Sequence, residues 1–188
     1  MRIVELIIED EEVNGVDAIS LVEQPAIESN FIALSKAQVN FAKDEERKIL
    51  VGAALIPDKP IYRNSEDGEF YAIFSKKTVA QCAHRFLKNS LQSNTTLEHE
   101  VEVDGVTVIE SWVKEGENDK SAHFGLDLPI GSWVVMYKVD NSEIWENEVK
   151  AGNVLGLSIE GFFKTATKLS KEDAILKGLK DIVENTKK

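Results

Sequence analysis

The chain has 188 residues and a mass of 21.0 kDa, a size at which one domain buries roughly 70% of its unfolded surface. Apolar residues at 43% and charged residues at 29% exclude wholesale disorder, and the longest apolar run, Ile49 to Ile56, is too short to cross a bilayer. With 22 basic against 33 acidic residues the net charge is −11, which argues against a broad phosphate-binding surface and against nucleic acid as a partner.

In chain order, Met1 to Ile8 is apolar and β-branched and reads as a strand, closed by an acidic turn and Asn14-Gly15. Val16 to Glu23 is a second strand, stopped by Pro25, and Asn30 to Leu34 a short third. Ser35 to Arg47 loses periodicity and gains charge, so residues 35–47 read as a mobile loop or linker. Strands follow at Lys48 to Ile56, Ile61 to Arg63 and Glu69 to Phe74. Ser75 then caps a helix whose apolar face carries Val79, Cys82, Ala83, Phe86 and Leu87, fading near Asn89-Ser90. Thr95 to Val103 and Val106 to Lys114 are expected to form a hairpin through Asp104-Gly105.

After a charged loop, Ser132 to Val139 is another strand. A short helix capped by Asp140 to Ser142 carries Ile144, Trp145 and Val149 and ends at Gly152. Val154 to Phe163 is the last strand, with Gly156, Ser158 and Gly161 in it. Ser170 opens a capping box, and Ile175, Leu176, Leu179, Ile182 and Val183 make residues 164–188 a C-terminal helical segment. Many short strands with about three helices predict an α+β, mainly β, fold over residues 1–163, of the kind in which a barrel is ringed by helices.

A lone cysteine excludes an internal disulfide and suits a reducing compartment; on an apolar helix face, Cys82 reads as a small core residue. Met1 to Asp10 has acids where a secretory signal has a basic end, so no signal peptide is expected. The three histidines are weighed singly. His84 marks a helix flank; His99 lies on a predicted strand between Glu98 and Glu100; His123 lies in a loop. His99-Glu100 begins like a zinc-protease motif, but Val103 stands where the second histidine belongs, and the spacing of His99, His123 and Asp127 does not demand a metal. No metal or other cofactor is expected. Ser158 sits between two glycines, but Glu160 occupies the second glycine position of a hydrolase nucleophile elbow. Serine chemistry there needs a histidine base, and His99 is the one on a predicted strand.

Together, Asn94 to Glu100 with Gly105 to Trp112 resemble the histidine region of phage prohead maturation proteases, and Gly156 to Phe163 their serine strand. Gly52 to Arg63 and Lys120 to Val139 extend the resemblance, which is strongest to the XkdF-type phage serine proteases and covers residues 48 to 163. It implies a small herpesvirus-assemblin-like β-barrel with peripheral helices and a serine endopeptidase cutting scaffold protein and major capsid protein extensions. The implied setting is the host cytoplasm, inside the immature capsid, with a C-terminal helix able to pack as a homodimer contact. By the resemblance, Ser158 is the nucleophile and His99 the general base. The relatives' acidic third member follows the serine strand, whereas here the similar string, Asp17 to Ala26, comes first, as in a circular permutation. Ala18 takes the acidic position; Asp17 next to it ranks first as third member, reachable through a bulge near Gly15, with Glu23, His123 or a dyad without a third side chain as alternatives. Two other classes stay open: a catalytically silent capsid-assembly or scaffold-binding protein, and a metal hydrolase on His99 and His123.

Overall fold

The computed structural model describes residues 2–27, 32–34, 47–65 and 68–166. Its strands begin with β1 (Arg2–Ile7), β2 (Gly15–Val22), β3 (Ile32–Leu34), β4 (Ile49–Leu55), β5 (Ile61–Ser65) and β6 (Gly68–Phe74). They continue with β7 (Thr95–Leu97), β8 (Val101–Glu102), β9 (Val106–Val113), β10 (Trp133–Val139), β11 (Gly156–Phe162) and β12 (Lys164–Thr165). The helices are α1 (Lys76–Lys88), α2 (Lys120–His123) and α3 (Ser142–Ile144), the last running into a π-turn over Trp145–Val149.

Three four-stranded sheets, in the orders β12-β1-β6-β5, β3-β4-β10-β9 and β11-β2-β7-β8, surround one core. The fold is therefore mainly β, as expected, but among the described residues no ladder closes it into a barrel. β4 and β11 come side by side without pairing. β4 and β10 are buried almost throughout, which is why their sequences are continuous apolar runs rather than alternating ones. Trp133, Tyr137 and Trp145 are fully buried; Trp133 stacks edge-on against Phe86 of α1 and donates Nε1–H to Ser111 Oγ at 2.8 Å.

α1 forms where the apolar spacing placed it, with Ser75 Oγ accepting from the Thr78 N–H and Asn89 as C-cap. Cys82 lies fully buried on its inner face, and burial pushes the thiol up to about 12, so it stays protonated as a core residue. Two expectations fail. The hairpin through Asp104-Gly105 does not form: the chain reverses earlier, between β7 and β8, and β9 pairs along its length with β10. The Gly105 carbonyl instead accepts the N–H groups of Asp140 and Asn141, docking that turn on the cap of α3. The strand run also extends past residue 163, because Lys164 and Thr165 pair with β1 and Phe163 packs on Phe74 at 4.9 Å. Residues 35–46 of the expected loop, and residues 167–188 of the expected helix, lie outside the described residues.

One buried cation locks the first half of the chain to α1. Arg85 donates through Nε to the Glu11 carbonyl at 2.7 Å, and through Nη1 to the Val16 carbonyl and Asp17 Oδ1, both at 2.9 Å. Gly15 makes room for it: a Cβ there would lie 2.7 Å from Arg85 Cδ, and its φ of +133° disfavours any other residue. Arg85→Ala leaves the two carbonyls without that donor and is expected to cost about 3 kcal/mol, read as a fall in the urea midpoint at unchanged m-value.

Candidate functional site

The third sheet brings the distant serine and histidine segments together. β2 pairs antiparallel with β11 and parallel with β7, so it lies between them. The registers Ser158↔Ser20, Ser20↔Thr96 and Thr96↔Glu102 put four polar residues in one row across the sheet. Directly paired residues share a face, and so do alternate residues along a strand. Ala18, Ser20, Thr96, Ser158 and Glu160 therefore occupy one face, while Ile19, Leu21 and Leu157 turn the other to the core.

The strand geometry near Ser158 depends on a bulge. Pairing passes from Glu160↔Ala18 to Gly161↔Val16, leaving Asp17 as the extra residue on β2. Gly161 faces the Gly15 peptide so closely that a Cβ would lie 2.9 Å from the Val16 Cα. Only glycine lets the two backbones approach this far, a physical reason for the second glycine of the serine strand.

His99 is not on a strand. It sits in the tight turn joining β7 to β8, where Glu98 and His99 take φ values of +52° and +61° and the Glu100 N–H donates to the Leu97 carbonyl at 3.0 Å. Two successive left-handed residues without glycine are uncommon and strained, and such strain persists only where surrounding contacts hold it. Here β2 supplies them. The Glu98 N–H donates to the Leu21 carbonyl at 3.0 Å, and the His99 N–H to Ser20 Oγ at 3.0 Å. Ser20, fully buried, passes its own proton to the Thr96 carbonyl at 3.3 Å. The Glu98 carboxylate in turn accepts from the Glu23 N–H at 2.6 Å.

The turn carries the His99 ring over the polar row. Its Nδ1 lies 3.0 Å from Glu160 Oε1, and the same oxygen accepts from Thr96 Oγ1. The His99 side chain is 41% exposed, open enough to meet a substrate, while Ser158 is 8% exposed. Glu160 stands two residues, about 7 Å, further along the strand than Ser158. Among the described residues no hydrogen bond joins Ser158 Oγ to the His99 ring, whose Nδ1 is engaged by Glu160. With Nδ1 so engaged, Nε2 is the ring nitrogen left for proton transfer.

The other sequence candidates lie elsewhere. Asp17 does occupy a bulge, but its carboxylate is held by Arg85 on the α1 side of the sheet, away from the row containing Ser158. Glu23 is exposed beyond the end of β2 and touches the turn through its backbone. His123 is exposed at the end of α2, a short helix capped by Asp119 that the charged sequence had concealed. Among the described residues no three His, Cys, Asp or Glu side chains gather as a metal site, and His99, His123 and Asp127 stay apart. His84 lines a separate cavity of about 380 Å³ with Leu87, Ser111, Trp112 and Asp119, to which no residue of the polar row contributes. Ser20, Thr96 and Glu160 are the site residues missed from the sequence.

Ser20→Ala removes the acceptor of the His99 N–H, and is expected to cost about 1–3 kcal/mol in chemical denaturation. Hydrogen exchange would show the loss locally, as faster exchange of the His99 and Glu98 amides than of the β10 amides.

Against known proteins, no curated sequence and no solved structure matches the chain. A family described as "Putative phage serine protease XkdF" does match, over residues 37–167. The match includes Thr95–Glu102 and Gly156–Phe162, which carry His99 and Ser158, and leaves out β2. With more than half of its length matched, the chain belongs to this XkdF family.

Proposed function

We propose that the protein is a phage capsid maturation endopeptidase, in which Ser158 is the nucleophile and His99 its general base. The observation that carries this reading is the shared sheet face. Segments 59 positions apart flank β2 in one sheet, and His99 Nδ1 is bonded to a carboxylate on the strand that carries Ser158. Ser158 Oγ would attack the scissile carbonyl while Nε2 takes its proton, then returns it to the leaving amine as the acyl-enzyme forms. Water, activated by the same nitrogen, would release the second fragment. Bringing Oγ and Nε2 into hydrogen-bond distance requires a rotation of the side chains on substrate binding, a tightening common to catalytic groups.

Scaffold protein and the major capsid protein extensions are the substrates this reading assigns, cut inside the immature capsid. The pairing of β2 with β11 supports a permuted strand order, in which an early strand takes the place next to the serine strand. A second reading, a catalytically silent assembly protein on the same fold, draws on the absence of a Ser158–His99 hydrogen bond among the described residues.

Co-expression with the cognate scaffold and capsid proteins, followed by intact mass, separates the two. Wild type is expected to yield discrete fragments, and Ser158→Ala and His99→Ala to lower the cleavage rate by about 10³-fold or more while keeping the fold. Intact partners with wild type, under conditions that assemble capsids, would establish the silent reading instead. Asp17→Asn should leave the cleavage rate unchanged, since its carboxylate is spent on Arg85. Loss of cleavage in that variant, at native stability, would return Asp17 to the catalytic group.

A further inference from the structure

We infer that Glu160 is the positioning carboxylate of His99, so that nucleophile and orienting acid stand two residues apart on one strand. The inference rests on the proposed serine-protease reading and supplies the member that the acidic residues nearer the amino end do not. Glu160 shares the Ser158 face of β11, and its Oε1 meets His99 Nδ1 at 3.0 Å. An ionised carboxylate only accepts hydrogen bonds, so the contact requires the ring proton on Nδ1 and leaves the lone pair on Nε2. That is the tautomer a base needs to take a proton from serine.

The carboxylate is itself held. Thr96 Oγ1 donates to the same oxygen from the far side of β2, and the Glu160 side chain is 32% exposed. The His99 backbone is fixed independently by Ser20 Oγ. Ring and carboxylate are thus located by separate strands, β7 with β2 for the histidine and β11 for the acid. Because Ser158 and Glu160 are joined by strand geometry, any shift of β11 moves both together and preserves their spacing. The arrangement also accounts for a glutamate where hydrolase elbows have glycine.

The test reads the His99 tautomer directly, by ring ¹⁵N chemical shifts in full-length Ser158→Ala protein at a pH where the ring is neutral. The Nδ1–H form is expected with Glu160 present; the Nε2–H form would overturn the inference without any change at position 160. Glu160→Gln keeps an acceptor for Thr96 but can donate to Nδ1, and should shift the population towards Nε2–H. In the Ser158-containing protein the same change should lower kcat by about 10³–10⁴-fold with KM nearly unchanged. Full kcat in Glu160→Gln would overturn the inference. If wild type cleaves nothing yet the tautomer depends on Glu160, the positioning role stands and the protease reading falls.

Discussion

The double pairing of β2 is the constraint on which the site depends. One strand satisfies backbone groups of β11 on one edge and β7 on the other, and so sets the separation of the serine and histidine segments at two strand spacings. Remove β2 and Ser158 and His99 have no common sheet. The strand is anchored at its start by Arg85, whose guanidinium takes one carbonyl from the turn before β2 and a carbonyl and a carboxylate from its first residues. A buried guanidinium with that many partners resists displacement, because each bond lost exposes an unsatisfied group. Core packing thereby reaches the site through the backbone rather than through side chains.

The two faces of this sheet divide the labour. Odd positions of β2, Ile19 and Leu21, enter the core, and even positions, Ala18 and Ser20, line the polar row. The bulge at Asp17 sends that carboxylate, the first-ranked acid of the sequence, to Arg85. Glu160 lies in register with Ala18, on the strand that also carries Ser158. The family match begins at residue 37, so the central strand of the site comes from a segment outside it. The segments carrying Ser158 and His99 thus flank a strand contributed by the amino-terminal part of the chain.

Strain is concentrated at the histidine. Two non-glycine residues at positive φ would relax in an isolated hairpin, where Asn-Gly is the favoured pair. Ser20 Oγ and the Leu21 carbonyl hold the conformation from β2, which lifts His99 off the strand path and over the row. A histidine on a straight strand would have pointed to a fixed face at a fixed depth; on the turn it meets Glu160 and stays accessible.

Elements governed by local chemistry were legible in the sequence. The Ser75 cap and apolar spacing of α1, the buried runs of β4 and β10, and the close-approach glycine at 161 follow from residue type and period. The serine and histidine segments were found through the family blocks around them. What the tertiary structure decided were facts of register and of distant pairing. Strand pairing let β9 choose β10 over its neighbour, and turned Glu98-His99 through a reversal that alternation alone reads as strand. A one-residue bulge sent Asp17 to Arg85, and strand order placed Glu160 under the His99 ring. Periodicity along a chain reports which face a residue takes, but contact between strands is set by hydrogen-bond register across the sheet, and that exists only once the chain has folded.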